Sequence, residues 1–119
     1  MLYIKEHPDF AGIWVATNGE IFSGRTAWGV RDWLRQMSPV TMKHTGYRRI
    51  GISVGGKLHF KYIHRLVMET WNPCDDPDKE VDHIDNNKLN NALSNLQWLT
   101  HAENMAKLAK AVVDETSGD

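Results

Sequence analysis

The sequence has a single cysteine, Cys74, and no run of eighteen apolar residues anywhere along the chain. One cysteine cannot form a disulfide within the chain, and the paired Cys-x-x-Cys spacing of a structural zinc site is missing. The lack of a long apolar run excludes a transmembrane helix, and the N-terminal residues lack the basic-then-apolar pattern of a secretory signal. We therefore expect a cytoplasmic protein that makes no contact with a membrane.

Net charge is also nearly absent, at −1, and by itself this argues against a nucleic-acid-binding protein. The two halves of the chain nevertheless differ. Residues 1–73 carry ten Lys or Arg against five Asp or Glu, whereas residues 74–119 carry four against ten. This asymmetry favours a basic, DNA-facing module joined to an acidic half whose charge a bound divalent cation would partly offset. The alternative is a chance distribution of solvated surface charges.

Two hairpins are predicted in the first half of the chain, whose total of 119 residues fits one domain with a modest core. Ile13–Thr17 and Glu20–Ser23 flank an Asn-Gly pair, which tolerates the positive φ angles of a type I′ turn. Tyr47–Val54 alternates polar and apolar residues and is joined by Gly-Gly to Lys57–Tyr62. The pattern therefore predicts a small antiparallel β-module.

The rest of this half is read from helical periodicity and from proline. Residues 1–10 contain Pro8 and are expected to be irregular, and residues 111–119 are expected to form a frayed tail. Thr26–Met37 contains a partial helical stripe that favours a core-covering helix over a recognition helix, formed by Trp28, Trp33, Leu34 and Met37. Tyr62–Trp71 predicts a second helix, ended by Asn-Pro.

The stretch from residue 79 to residue 113 has the order strand, polar loop, strand, helix. Lys79–Ile84 alternates polar and apolar residues, and the asparagine-rich run that follows is turn chemistry. Leu96–Leu99 predicts a second short strand. Thr100 and Glu103 form a capping box, which predicts a helix that begins there and continues to Val113.

Four side chains of this stretch carry the chemistry of a hydrolytic site. Asp82 and His83 share the first predicted strand, Asn95 ends the loop, and Asn104 lies in the first turns of the helix. Carboxylate and carboxamide oxygens are hard ligands that suit Mg²⁺ or Mn²⁺, and a neutral imidazole suits a general base. Asp82 and Asn104 therefore form a candidate ligand pair.

This arrangement resembles the HNH nuclease motif, also called the ββα-metal or His-Me finger, in the variant where asparagine replaces the last histidine. The resemblance rests on Asp82-His83, on Asn95 twelve residues after the histidine, and on Asn104 nine residues further on. The sequence is most similar to free-standing, phage-type HNH homing endonucleases, and weaker similarity extends the match to residues 8–108. Larger phage enzymes of this kind add a C-terminal helix-turn-helix module, for which this sequence has no room.

The resemblance implies an α+β fold, with a small antiparallel N-terminal β-module followed by a helix and a ββα-metal finger. We expect a DNA-binding hairpin module at 1–60, a nuclease domain with its preceding helix at 61–113, and a tail at 114–119. By resemblance, His83 is the general base and Asn95 fixes its ring, while Asp82 and Asn104 hold one divalent cation, Mg²⁺ or Mn²⁺. The implied function is metal-dependent endonucleolytic hydrolysis of DNA, by a phage-encoded enzyme acting in the host cytoplasm.

Further residues are candidates for contact with the expected partner, double-stranded DNA. His101 and Arg65 are possible metal or phosphate contacts, and the alternative for each is a structural or solvent-facing residue. The second hairpin and its approach carry a set of cations that could follow a DNA groove: Lys43, Arg48, Arg49, Lys57 and Lys61. A monomer with one site predicts nicking, whereas a homodimer could cut both strands. Two other functions stay open: a catalytically inactive HNH-fold DNA-binding or accessory protein, and an enzyme acting on RNA.

Overall fold

The structure, a computed structural model, describes residues 2–26 and 29–117. In this part of the chain three antiparallel sheets combine with two α-helices and one short 3₁₀ turn, so the predicted α+β class is confirmed. The elements in chain order are β1 (Ile4–Glu6), β2 (Ile13–Ala16), β3 (Ile21–Thr26), β4 (Gly29–Gln36), β5 (Val40–Thr41), β6 (Arg48–Val54), β7 (Lys57–Tyr62), α1 (Ile63–Trp71), β8 (Lys79–His83), β9 (Leu96–Thr100) and α2 (His101–Ser117).

The first sheet is a meander in which β1, β2, β3 and β4 lie in chain order. The β2–β3 hairpin confirms the first predicted hairpin, but the type I′ turn is wrong. Gly19 has a φ of 91°, whereas Asn18 does not adopt a positive φ. The Gly19 N–H donates to the Ala16 carbonyl at 3.0 Å, which fits a type I turn followed by a glycine bulge.

Two predictions for the first sheet are wrong. Residues 4–6 are not irregular, because they form β1 and pair with β2 in the register Ile4 opposite Ala16. Residues 29–36 form β4 instead of a helix, because pairing with β3 satisfies their backbone groups. Within β4 the apolar stripe does not cover a core, since Trp33 is 57% exposed, whereas Met37 just after the strand packs against the core. Trp28, the first residue of that stripe, lies outside the described residues.

The second sheet contains the second predicted hairpin, which is confirmed. β6 and β7 pair from Arg49 opposite Tyr62 to Val54 opposite Lys57, and both glycines of the turn have positive φ angles. The chain then enters α1 directly, and the helix ends before Pro73 as predicted. Proline after the last turn cannot continue the helix because it has no N–H to donate.

One hydrophobic core joins the β-module to the segment that follows it. Its fully or nearly buried members come from the first two sheets, from α1 and from β9: Ile13, Val15, Ile21, Ile50, Ile52, Ile63, Leu66, Val67, Met68 and Leu96. Fully burying one such aliphatic side chain contributes about 1.5–3 kcal/mol. The Trp71 indole N–H also donates to the Val15 carbonyl at 3.0 Å. The core therefore crosses the boundary predicted at residue 60, which itself stays a prediction.

The ββα order is confirmed by β8, β9 and α2. β8 and β9 pair antiparallel, from Lys79 opposite Thr100 to His83 opposite Leu96. The capping box is formed, since Thr100 N donates to Glu103 Oε1 at 3.0 Å and Glu103 N donates to Thr100 Oγ1 at 3.1 Å. The end predicted at Val113 is wrong because α2 continues to Ser117; residues 118 and 119 of the expected tail lie outside the described residues. Neither described helix combines the length and apolar content that a membrane span requires.

Candidate active site

Strand β8 supplies side chains to two different environments. Successive residues of a strand point to opposite faces. Glu80 and Asp82 point towards α2, where Asn104 and Lys107 hydrogen-bond to them. His83, next in the chain, is on the face of α1 and the core, where its ring contacts His64. The two chemically different halves of the predicted site are therefore adjacent in sequence but separated by the strand.

The His83 ring is buried and held by a carboxamide. Its Nε2 lies 2.7 Å from Oδ1 of Asn91, and the two residues are each 5% exposed. A carboxamide oxygen can only accept a hydrogen bond, so Nε2 carries the proton in the neutral ring. Nδ1 then keeps its lone pair, as a general base requires.

Two aromatic rings line the His83 side chain. The Tyr47 ring stacks on it with centroids 6.0 Å apart, and the His64 ring meets it edge-on at 5.2 Å. Burial, then the charges of His83 and Arg65, lower the pKa of His64 to about 3. Among the described residues, its buried Nδ1 has no hydrogen-bond partner. His64 is therefore neutral at ordinary pH and acts as part of the wall, with Tyr62 stacked on its other side at 5.6 Å.

The predicted contact between Asn95 and the His83 ring is absent among the described residues, and Asn91 makes it instead. The Asn95 side chain donates to Asp85 Oδ1 at 2.8 Å and to the Asn90 carbonyl at 2.9 Å, and it accepts from the Asp85 N–H at 3.1 Å. These bonds close the loop between β8 and β9. Asn95 thus orders the loop that carries Asn91. The sequence alone did not identify Asn91 as the partner of the His83 ring, because the loop contains several asparagines.

Asp85 is the acceptor around which this loop is built. Hydrogen bonds from the Asn90 side chain, from the Asn87 backbone and from Asn95 lower the pKa of its carboxyl below the usual range. Asn86 between them has a φ of 64°, a left-handed conformation that asparagine tolerates better than most residues. Asn86, Asn87 and Asn90 therefore act as turn formers, as predicted, whereas the same prediction for Asn91 is wrong because its side chain binds the His83 ring.

The β2–β3 turn supports the same loop from the N-terminal module. Leu93 N donates to the Thr17 carbonyl at 2.8 Å. Gly19 packs so closely on the Asn91 backbone that an added Cβ would lie 2.8 Å from the carbonyl oxygen. The position of Asn91, and through it the His83 ring, depends on a hairpin more than sixty residues earlier in the chain.

Asp82 and Asn104 present oxygen atoms that fit a hard cation. Asp82 accepts two hydrogen bonds on Oδ2, from Gln97 at 2.9 Å and from Lys107 at 2.7 Å. Asn104 donates its Nδ2 to Glu80 Oε1 at 2.5 Å. Within the described residues, Oδ1 of Asp82 and Oδ1 of Asn104 accept no hydrogen bond, which leaves one carboxylate and one carboxamide oxygen for Mg²⁺ or Mn²⁺.

Sequence reasoning missed Glu80 and Lys107 as neighbours of this ligand pair. Glu80 is two residues before Asp82, so strand periodicity places both on one face. Lys107 follows Asn104 by three residues on α2, which puts the two on one side of the helix. In the described part of the chain, no group of three or more His, Cys, Asp or Glu could hold a metal ion.

A cleft of about 200 Å³ adjoins the site. Its lining comes from the β6–β7 module, α1, β8 and α2: Thr45, Tyr47, Tyr62, His64, Arg65, Glu80, Val81 and Asn104. Arg65 is exposed and lines this cleft, and its phosphate contact stays a prediction. His101 is 77% exposed, with its Nδ1 3.8 Å from Glu80 Oε1, and its role as a metal or phosphate contact also stays a prediction.

The predicted DNA-binding cations do not share one face of the second hairpin. Cross-strand pairing puts Lys57 and Lys61 on the side of the buried Ile50 and Ile52, whereas Arg49 is on the other side, with its guanidinium 4.0 Å from the Phe60 ring centre. Two more lie outside that pairing. Lys43 is exposed in the turn before β6, and Arg48 is half-buried, with Nη2 3.5 Å from the Pro39 carbonyl.

Comparison of the sequence with known families points to the same class of protein as the fold and the site, a nuclease with a ββα-metal finger. The family model described as HNH endonuclease matches residues 61–106, which include α1, the β8–β9 hairpin and the start of α2. Over these residues the chain is similar to HNH endonucleases, and the phage relatives and the solved structure described next support the same class. Members of this family generally depend on a divalent metal ion.

Particular relatives are phage enzymes. The chain is 35% identical over 95 residues to "DNA endonuclease I-HmuI" of Bacillus phage SP01, covering 76% of this chain and 48% of that protein. It is 34% identical over 68 residues to "H-N-H endonuclease F-TflI" of Escherichia phage T5, covering 55% of this chain and 35% of that protein. The solved structure described as "DNA binding and cleavage by the HNH homing endonuclease I-HmuI" superimposes with a TM-score of 0.76 at 29% identity, covering 92% of this chain and 59% of that one. The chain thus spans about half the length of I-HmuI.

Proposed function

We propose that the chain is a divalent-metal-dependent endonuclease that hydrolyses phosphodiester bonds of double-stranded DNA. The observation that carries this proposal is the pairing of His83 Nε2 with Asn91 Oδ1 at 2.7 Å, which leaves the lone pair of Nδ1 to accept a proton. The similarity to a phage protein named a DNA endonuclease supports the choice of DNA.

In the proposed reaction, His83 Nδ1 takes a proton from the water that attacks the scissile phosphorus. The bond to Asn91 fixes the ring and its tautomer, and the neutral rings of His64 and Tyr47 limit its rotation. Cleavage of the bond to the 3′ oxygen yields a 5′-phosphate and a 3′-hydroxyl end. A positioned general base contributes about 10²- to 10⁴-fold to the rate.

Oδ1 of Asp82 and Oδ1 of Asn104 would hold the cation, Mg²⁺ or Mn²⁺. When bound, the cation supplies positive charge that stabilises the phosphate and the leaving oxygen. Glu80 orients the Asn104 carboxamide through its Nδ2, so that the oxygen end stays available. Two protein ligands leave most coordination positions to water and phosphate, and cation binding without DNA should therefore be weak.

Contacts to the DNA backbone are proposed for Arg65 at the cleft and for the hairpin cations Lys43, Arg48, Arg49, Lys57 and Lys61. These cations lie on two faces of the hairpin. We therefore infer that the duplex contacts the edge and the turns of the hairpin to a greater extent than either of its flat faces. A monomer has one site and would nick one strand, whereas a homodimer would cut both.

The test is cleavage of supercoiled plasmid by the wild type and His83→Ala, with Mg²⁺, with Mn²⁺ and with EDTA. We expect metal-dependent conversion to nicked or linear DNA, abolished by EDTA and reduced at least about 100-fold in His83→Ala. His44→Ala, which removes an exposed histidine that does not line the cleft, is the matched control and should cut like the wild type.

Two outcomes contradict the proposal. Cleavage that survives in His83→Ala would mean that another group is the base. DNA that is bound but not cut by the wild type, with any of the cations, would favour a non-catalytic DNA-binding protein. The same assay on a matched RNA duplex separates DNA from RNA as the substrate.

A further inference from the structure

Lys107 of α2 places an ammonium group against two consecutive residues of β8. Its Nζ lies 2.7 Å from Oδ2 of Asp82 and 2.8 Å from the His83 carbonyl oxygen. The contact is half sheltered from water, with the side chains of Lys107 and Asp82 26% and 10% exposed. Charge-assisted bonds of this length are among the stronger hydrogen bonds in proteins.

The contact restricts how Asp82 can bind a cation. Lys107 and Gln97 both donate to Oδ2, and Gln97 is the residue opposite Asp82 in the β8–β9 pairing. With one oxygen occupied twice, Oδ1 is the atom left for a metal ion. A carboxylate held in this way binds through one oxygen, because binding through both would break two hydrogen bonds.

The ammonium also opposes the binding of a second positive charge. A dication at Oδ1 would lie within several ångströms of Nζ, where like charges repel and solvent screens them only in part. A DNA phosphate brought to the same place adds negative charge and offsets this repulsion. Lys107 should therefore weaken cation binding in the free protein more than in the complex with DNA.

We propose that Lys107 is a positioning residue that holds Asp82 for coordination through one oxygen and acts as a built-in counter-cation, so that the metal binds tightly only together with DNA. The inference rests on the proposed role of Asp82 as a metal ligand. It gives Lys107 two separable effects: removal should strengthen metal binding by the free protein and slow cleavage at saturating metal.

The experiment measures Mn²⁺ binding by the DNA-free protein, from the electron paramagnetic resonance signal of unbound Mn²⁺. Lys107→Met should bind Mn²⁺ about tenfold more tightly than the wild type, since a screened unit charge is removed next to the site. Lys107→Arg keeps the charge and should bind like the wild type. Asp82→Asn should lose the site, which shows that the binding measured is at this carboxylate.

The same proteins are then compared in single-turnover plasmid nicking at saturating Mn²⁺. Lys107→Met should be slower by about tenfold, because Asp82 is no longer held, and Lys107→Arg should recover most of the rate. Lys110→Met removes an exposed cation one turn further along α2 and should change neither measurement. Lys107→Gln, which can still donate to Asp82, keeps the test available if the Met variant does not fold.

The outcomes separate this inference from the proposed function. The proposed role of Lys107 as a counter-cation is overturned if both Lys107→Met and Lys107→Gln bind Mn²⁺ as weakly as the wild type or more weakly. A lysine that only anchors α2 would give that result together with a lower unfolding temperature. A wild type that binds Mn²⁺ at Asp82 but never cleaves DNA contradicts the proposed function and leaves the affinity comparison intact. A wild type that cleaves, with unaltered Mn²⁺ binding in the variants, contradicts the role of Lys107 alone.

Discussion

Asn91 and Asn95 should have different and separable effects when each is replaced by alanine. Asn91 contributes one side-chain hydrogen bond, to the His83 ring, whereas Asn95 contributes three within the loop. A net hydrogen bond is worth about 1 kcal/mol on average, and more when the partner is charged. Asn95→Ala should therefore lower the free energy of unfolding by about 3 kcal/mol, and Asn91→Ala by about 1 kcal/mol.

The effect on cleavage should be in the opposite order for protein that remains folded. Asn91→Ala frees the ring and its tautomer, and loss of such an orienting partner typically costs about 10- to 100-fold in activity. Asn95 touches no atom of the ring, so folded Asn95→Ala should retain a larger share of the wild-type rate. The loss that it does show should diminish as the temperature is lowered and the loop is restored.

The assay pairs urea denaturation with single-turnover nicking of plasmid at saturating Mn²⁺. Ser94→Ala is the matched control, because Ser94 is exposed in the same loop and should change each quantity little. The reasoning is refuted if Asn91→Ala cuts at the wild-type rate while Asn95→Ala is as stable as the wild type but inactive. That result would return the ring contact to Asn95.

Three smaller changes test the surroundings of the site. Burial lowers the pKa of His64 to about 3, whereas the unfolded chain binds that proton near pH 6.5. The folded protein should therefore lose about 1.4 kcal/mol of unfolding free energy through this residue as the pH falls from 8 to 5.5. Urea denaturation should show that this loss is absent in His64→Phe. Gly19→Ala should destabilise the protein and slow nicking, since its Cβ would lie 2.8 Å from the Asn91 carbonyl oxygen. Gly56 also has a positive φ, but a Cβ there would meet no neighbour within 4 Å, so Gly56→Ala should lower stability alone. Thr100→Ala should cost about 1 kcal/mol of unfolding free energy by removing the cap of α2, with Thr100→Ser close to the wild type.

Local chemistry explains why the ββα segment could be predicted from sequence. The capping box that begins α2 and the alternation along β8 are each specified by residues a few positions apart, so the pattern and the structure agree. The same holds for the Gly-Gly hairpin, where both residues adopt the positive φ that glycine permits. Asp82, His83 and Asn104 lie on these well-specified elements, so the order of the elements was enough to assign all three to the ββα segment.

The features that sequence could not provide depend on contacts between distant segments. Residues 29–36 have a helical spacing of apolar side chains, yet β3 offers them a backbone partner, and Trp33 remains largely exposed. The choice between Asn91 and Asn95 depends on the path of the loop, which the β2–β3 turn at Gly19 helps to fix. Lys107 is one of several lysines in its region, and only the packing of α2 on β8 brings it to Asp82.

The two faces of β8 explain how neighbouring residues can have incompatible tasks. A base must be neutral and must keep a lone pair, and His83 is surrounded by uncharged groups, the Asn91 carboxamide and the His64 ring. A carboxylate binds a cation best when it is charged, and Asp82 lies among charged and polar groups contributed by β9 and α2. Strand alternation at this Asp-His pair gives the two neighbouring side chains these different surroundings.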